Sequence, residues 1–95
     1  MPCRFLTEHD VADLIDMPRS IEVVEEAFRR MAVGEVHNVP RARAKAPGVL
    51  LHCMSASAAY LGLIGWKNYT TTRHGMLFHV AGYDIETGEM QILIE

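Results

Sequence analysis

Five cationic side chains in the middle of the sequence have no acidic residue near them along the chain. Residues 1–36 carry eight acids and four bases, and residues 76–95 carry four acids and no base, whereas residues 37–75 carry no acid. Cations that fold together without local counter-charges create a positive potential, which favours a small anionic ligand. The net charge of −3 argues against nucleic acid. The five are Arg41, Arg43, Lys45, Lys67 and Arg73.

Arg41 and Lys67 are the residues that we expect to hold an anion. Lys67 shares a predicted strand face with Leu63 and Tyr69, where a desolvated ammonium is costly unless it meets an anion. Arg41 is able to clamp a carboxylate with two parallel N–H bonds. Each residue also has a simpler interpretation. A lysine stem often covers apolar surface while its head reaches water, and an arginine on an edge strand is often simply solvated.

His52 lies between Leu50 and Met54 on one face of a predicted strand. Most such histidines are core or rim groups, but one beside a cationic pocket is able to exchange a proton. We predict no metal site, because His74 and His79 lack helical metal spacing and no cluster of cysteines or acids is nearby. No Gly-x-Gly-x-x-Gly sequence follows a strand, so we expect no dinucleotide-binding half in this chain.

Two helices are predicted ahead of the cationic segment. Thr7 is the expected N-cap of a short helix over residues 8–15, and Pro18 suits the first turn of a second helix that ends near Gly34. Apolar residues recur along one face of the second helix, and we expect that face to be buried: Ile21, Val24, Phe28 and Met31. The opposite face carries favourable acid–base pairs, Glu25 with Arg29 and Glu26 with Arg30.

From residue 39 onward the apolar period changes to two, which predicts strands. The first strand sets Arg41, Arg43 and Lys45 on one face and three alanines on the other, and Pro47-Gly48 marks its end. The last strand is apolar on both sides, so we expect it to be covered, either by pairing within a dimer or by the rest of a longer protein. The other strands are predicted at residues 49–55, 60–71, 76–84 and 89–94.

These elements predict an α+β fold with two N-terminal helices packed on a mostly antiparallel sheet. A chain of 95 residues fits one domain, near the lower limit for a self-sufficient core, so help from a partner is expected. Cys3 and Cys53 are expected to be free thiols. No apolar run approaches the ~18 residues of a membrane span, and the N-terminus resembles neither a signal nor a transit peptide. We therefore expect a cytoplasmic protein without a membrane partner.

Several segments together resemble the N-terminal part of the ornithine cyclodeaminase and mu-crystallin family. They are LTEHDVADLIDMPRSIEVVEEAFRRMAVGEV, VPRARAKAPGVLLHCMSASAAYLGLIGWKNYTTTR and YDIETGEMQILIE. The most specific pieces are the arginine strand, the Leu-His-x-Met stretch, the Gly-x-Lys strand with its threonines, and the Asp-x-Glu-Thr-Gly-Glu hairpin. The resemblance covers essentially the whole chain.

This resemblance implies a substrate-binding and dimerisation domain, which a Rossmann domain that binds NAD or NADP normally completes. Family members oxidise amino acids or reduce imines by hydride transfer. By position, Arg41 is similar to a carboxylate-binding arginine, and Lys67 to a lysine beside the reacting centre that contacts the same carboxylate. His52 and Met54 fall in the stretch that lines the substrate pocket. His52 stands where ornithine-specific members have an acid, which argues against ornithine as the substrate.

Two functions remain open at this point. Residues 1–95 are either one partial domain of such an enzyme or a non-enzymatic module, namely a dimeric remnant or a small anion-binding protein. In the first case the ligand is a small amino or imino acid, Lys67 takes part in catalysis, and the partner is a second copy or the missing Rossmann half. Because hydride transfer needs the nicotinamide held against the substrate carbon, the isolated chain is expected to be inactive.

Overall fold

The structure, a computed structural model, describes residues 2–95. Six strands form one sheet in the order β1-β6-β5-β4-β3-β2, and all neighbours are antiparallel except β1 and β6. This arrangement confirms the predicted α+β class. The elements are β1 (Arg4–Leu6), α1 (Glu8–Leu14), α2 (Met17–Ala32), β2 (Val36–Ala46), β3 (Val49–Ala58), a 3-10 turn (Ala59–Leu61), β4 (Leu63–Thr72), β5 (Gly75–Asp84) and β6 (Met90–Ile94).

The two helices begin where the sequence predicts. Thr7 caps α1 by accepting a hydrogen bond from the backbone N–H of Asp10, and the Asp10 carboxylate accepts one from the backbone N–H of Thr7. Asp16 caps α2 in the same way, with Pro18 in the first turn, and Gly34 takes the left-handed conformation just beyond its end, at a φ of 81°. Neither helix is long and apolar enough to cross a membrane, and residues 2–95 contain no other α-helix.

The C-terminal end of α2 is joined to the sheet through Arg30. Its Nη1 donates to the Glu35 carboxylate, at 2.7 Å, just before β2 begins. Its Nε donates to Glu26 on the same helix, also at 2.7 Å, which confirms the predicted pair. The guanidinium also lies over the Tyr60 ring, 5.0 Å from its centroid. One arginine therefore links the helix to the sheet's first long strand and to the turn before β4.

The apolar face of α2 is exposed in this chain, so the prediction that it is buried was wrong. Ile21 is 60% exposed and Phe28 64% exposed, and Val24 and Met31 are exposed as well. The period of 3.6 correctly identifies a helix with one apolar side, but a period does not say which surface covers that side. The helix contacts β2, and its apolar face stays exposed.

The last strand is covered, but not as the sequence suggested. β6 lies between β5 and β1, with Arg4 opposite Ile92 and Leu6 opposite Ile94. The covering strand is therefore the chain's own N-terminus, and neither a dimer nor a further segment is required for it. A three-residue strand is too short to show an alternating pattern, which explains why β1 was missed. Similarly, Tyr60 and Leu61 lie in the 3-10 turn and not in the predicted strand.

Gly65 lies on β4 at a position where the sheet has no room for a side chain. A Cβ built there would overlap the backbone carbonyl oxygen of Ala81 on β5, which is 2% exposed. We expect Gly65→Ala to lower the free energy of unfolding by about 1–3 kcal/mol, because the strands must shift apart. Urea unfolding followed by circular dichroism measures the change.

Gly82→Ala is the matched control for this prediction. Its Cβ would meet side-chain atoms alone, Cγ2 of Ile92 at 3.0 Å and Cδ2 of Leu63 at 3.9 Å, and side chains yield more readily than backbone. A smaller loss of stability is expected for Gly82→Ala than for Gly65→Ala. Equal stability of Gly65→Ala and the original chain would show that β4 and β5 do not approach each other as the structure has it.

Candidate functional site

One face of the sheet carries the cationic and aromatic side chains in two neighbouring rows. Residues paired across strands point to the same face, so the strand register fixes the rows. The first row contains Met54, Lys67 and Val80, and the second contains Arg43, His52, Tyr69 and Phe78. The sequence had placed Lys67 with Tyr69 and His52 with Met54, and the register now brings these two pairs together.

Three rings of the second row are stacked. The Tyr69 ring lies 4.2 Å from the His52 ring, with 10° between the planes, and 4.7 Å from the Phe78 ring, with 22° between the planes. Each such aromatic contact contributes roughly 0.5–1.5 kcal/mol beyond the buried area. The stack therefore stabilises the centre of this face, where β3, β4 and β5 lie side by side.

Arg41 and Lys67 both lie against the middle ring of this stack. Nη1 of Arg41 donates a hydrogen bond to the Tyr69 hydroxyl at 2.7 Å. Nζ of Lys67 lies 5.9 Å from the centroids of both Tyr69 and Phe78, which is within reach of a cation–π interaction. The two cations, distant in sequence, therefore meet at one aromatic ring on one face of the sheet.

Neither cation is neutralised by an acid of the chain that the structure describes. Among residues 2–95, the ion pairs join α1 residues to each other and α2 residues to each other or to Glu35, and none includes a residue of the sheet. Arg41 retains free N–H groups, and Lys67 is half-buried. Two uncompensated cations beside one tyrosine ring are able to bind a carboxylate, which accepts up to four hydrogen bonds.

A cavity of about 340 Å³ opens beside Lys67 on this face. Met54 and Val80 line it next to the ammonium. Ala56 and Gly65, which are paired across β3 and β4, form its floor. Small residues on the floor leave space for the body of a ligand whose carboxylate lies at the cations. Met54 therefore lies at this cavity, beside Lys67.

His52 lies below the site and supports it. The side chain is almost fully buried, with 6% of the residue exposed. Nε of Arg43 donates to Nδ1 of His52 at 3.2 Å, and Nε2 of His52 is 3.1 Å from the Thr71 hydroxyl. Since arginine has no acceptor, Nδ1 must carry no proton, and the neutral ring carries its proton on Nε2. His52 is therefore placed to orient Arg43 and Tyr69.

The pKa of His52 is lowered. Burial disfavours the charged ring, and the positive charges of Arg43 and Arg41 lower the pKa further. The unfolded chain therefore binds this proton more readily than the folded chain. Stability from this group is fully present above the unfolded pKa, about 6.5, and is lost as the pH falls through the lower folded value.

We expect NMR of the ring nitrogens to show the Nε2–H tautomer of His52 and a titration midpoint below the ordinary histidine value of about 6.5. In His52→Gln the decrease in stability between neutral and mildly acidic pH should become shallower, because the group that binds the extra proton is gone. A ring that carries its proton on Nδ1 would contradict the hydrogen bond from Arg43, and a midpoint at or above about 6.5 would contradict the burial of the ring.

Sequence reasoning missed two contributors to the site. Tyr69 joins both cations, and Arg43 is tied to the buried histidine. Alternation alone indicated that Tyr69 shares a face with Lys67, but alternation does not give the register between strands. The structure also contains no group of three or more histidines, cysteines or acids within residues 2–95 that could hold a metal ion.

Solved structures share this fold over almost the whole chain. A probable ornithine cyclodeaminase from Bordetella pertussis Tohama I has a TM-score of 0.91 and 22% identity, over 99% of this chain and 30% of its own. An archaeal alanine dehydrogenase, described as a dimer with bound NAD, has a TM-score of 0.91 and 25% identity over 99% and 31%. A Δ1-pyrroline-2-carboxylate reductase from Thermococcus litoralis, solved with NADH and L-proline, has a TM-score of 0.89 and 21% identity over 96% and 31%.

This chain has the ornithine cyclodeaminase fold. The structure thus confirms the fold that the sequence resemblance implied. The chain spans less than a third of the length of these solved relatives. No protein-family model and no curated protein matches the sequence. The ornithine cyclodeaminase fold here consists of the sheet that bears Arg41 and Lys67, with helices α1 and α2 at its margin.

Proposed function

We propose that residues 1–95 are the N-terminal, substrate-binding portion of an NAD- or NADP-dependent enzyme that acts on a small amino or imino acid. Arg41 and Lys67 hold the substrate carboxylate against the Tyr69 hydroxyl, and Met54 lines the space for the rest of the molecule. The observation that supports this most is the meeting of two unpaired cations at one ring beside a cavity. The solved relatives with this fold are described as enzymes of amino or imino acids.

Lys67 is the residue proposed to lie closest to the reacting carbon. Its ammonium is half-buried and adjoins the cavity, whereas Arg41 is exposed and approaches from the edge strand. A carboxylate held by both would be fixed in position and in rotation, which is what proximity effects in catalysis require. The chain's own contribution is thus to bind and orient the substrate and to place one positive charge beside it.

The described residues do not suit the nicotinamide cofactor. Its pyrophosphate needs a glycine-rich turn between a strand and a helix, where backbone N–H groups point at the phosphates. In residues 2–95, β1 leads into α1 through Thr7 alone, whose side chain already caps that helix. The hydride carrier would therefore be bound by a separate domain, and no step of hydride transfer is assigned to these residues.

The exposed apolar face of α2 supports a partner for this chain. We propose that a second copy or the cofactor-binding half covers Ile21, Phe28 and their neighbours, since an uncovered face of this size is unusual in a monomer. Sedimentation of the chain alone distinguishes the two. A dimer indicates self-association through this or another surface, and a monomer that sediments faster with the cofactor half indicates the second partner.

Turnover with a separately produced NAD-binding domain tests the proposed function. The two parts are mixed with amino or imino acids, and NADH is followed by its absorbance, with Lys67→Met as the control that must lose activity. Carboxylate binding by the chain without turnover in any combination would favour the alternative, a non-enzymatic anion-binding module. If the chain showed no binding and no turnover, both functions would be excluded.

A further inference from the structure

A third cation, Arg43, lies beside the proposed carboxylate site, where it is bonded to His52. It follows Arg41 by two positions on β2, which places the two Cα atoms about 7 Å apart on the same face. Its Nε is bonded to His52, and its two Nη groups make no hydrogen bond or ion pair with residues 2–95. A planar group with one edge held and the other edge free is able to bind a second carboxylate.

Arg43 is held in place by buried structure, unlike an ordinary solvated arginine. The ring that accepts its Nε–H is 6% exposed, is stacked on Tyr69, and lies within hydrogen-bond distance of Thr71. Fixing a guanidinium costs side-chain entropy, and this cost is already met before a ligand arrives. Binding an anion at the free Nη groups would therefore require little further ordering.

The charged residues around the rings form a cationic side and an acidic side. Arg41, Arg43 and Lys67 lie at the His52 and Tyr69 end of the stack. The acids Glu8 and Glu95 line a separate depression with Phe78 and His79, at the far end of the stack and across three strands from Arg43. A ligand group that extends from the Arg41 and Lys67 pair toward Arg43 thus moves away from these two acids.

We propose that the ligand carries a second carboxylate, which Arg43 binds, so that the site takes an acidic amino acid or the matching imino acid. This inference rests on the proposed function, because the first carboxylate is the one held by Arg41 and Lys67. The opposite class, a diamino acid, is disfavoured, since its distal ammonium would lie against the Arg43 guanidinium.

Aspartate and asparagine provide the test, because they have nearly the same shape and differ by one charge. The 95-residue chain is titrated with each at low salt, and backbone NMR shifts report the dissociation constants. Aspartate should bind at least about tenfold more tightly than asparagine, since a charge-assisted hydrogen bond is retained for one and lost for the other. In Arg43→Gln the two affinities should become equal, with asparagine unchanged.

Lys45→Gln is the matched control, since it removes the same charge from the same face of β2, two positions further from the cavity. It should preserve the preference for aspartate. Equal binding of the two ligands by the original chain, with both lost in Arg41→Gln, would overturn the inference and leave the proposed function standing. Tighter binding of ornithine than of asparagine would overturn the inference too. If no ligand bound, both this inference and the proposed function would be rejected. The ratio of the aspartate and asparagine affinities in the original chain decides the inference even if Arg43→Gln does not fold.

Discussion

Replacing Lys67 by methionine is expected to weaken the binding of an amino-acid carboxylate by roughly 10- to 100-fold, the value of a charge-assisted hydrogen bond in a partly desolvated site. Methionine keeps the length of the stem and its contact with the Tyr69 and Phe78 rings, so the sheet should remain folded. Arg41→Gln should weaken binding by a similar factor, because it removes the second positive charge beside Tyr69. Titration with L-alanine, followed by backbone NMR shifts, gives each constant.

The control for both changes is Arg73→Gln. Arg73 belongs to the same acid-free segment and carries the same charge, but it lies exposed in the turn between β4 and β5. If binding depended only on the overall positive potential, all three variants would weaken it equally. A specific site predicts that Arg73→Gln binds as tightly as the original chain, at low and at high salt.

The second large effect is expected for Tyr69→Ala, which should lower the free energy of unfolding by at least about 2 kcal/mol. The change removes both ring contacts at the centre of the face and leaves His52 and Phe78 separated by a gap. It also removes the acceptor of the Arg41 hydrogen bond, so carboxylate binding should fall as well. Urea unfolding and the L-alanine titration measure the two consequences separately.

Tyr69→Phe divides the two roles of this residue. Phenylalanine keeps the stacked ring but removes the hydroxyl, so stability should remain within roughly 1 kcal/mol of the original chain while Arg41 loses its anchor. Weaker binding with little loss of stability is therefore expected. If Tyr69→Ala were as stable as Tyr69→Phe, the stacked arrangement of the three rings would be incorrect.

The elements could be predicted from the sequence wherever one local rule applies. Thr7 and Pro18 marked the helix starts, and the switch to a period of two marked the strands. The cationic face of β2 followed from strict alternation, and the structure places Arg43 and Lys45 opposite His52 and Leu50. A bulge between Val39 and Ala42 interrupts the register there, and no sequence signal announced it.

The remaining features depend on contacts between distant segments, which alternation does not encode. The pairing of β1 with β6 and the stacking of His52 on Tyr69 both require a register between strands. The apolar face of α2 is a different case, because it concerns burial and not register. Its pattern correctly identified the apolar side of a helix, but residues 2–95 leave that side exposed. Local patterns therefore predicted faces, and only the fold showed which faces meet.

The central claim is that one carboxylate contacts both Arg41 and Lys67, and a structure of the chain with a saturating amino-acid ligand tests it most directly. The expected result is a carboxylate with one oxygen about 2.7–3.1 Å from the Arg41 guanidinium and the other at a similar distance from Nζ of Lys67, with its body over Met54. A ligand bound elsewhere on the chain, or held by Arg41 with the Lys67 ammonium turned away into solvent, would contradict the claim.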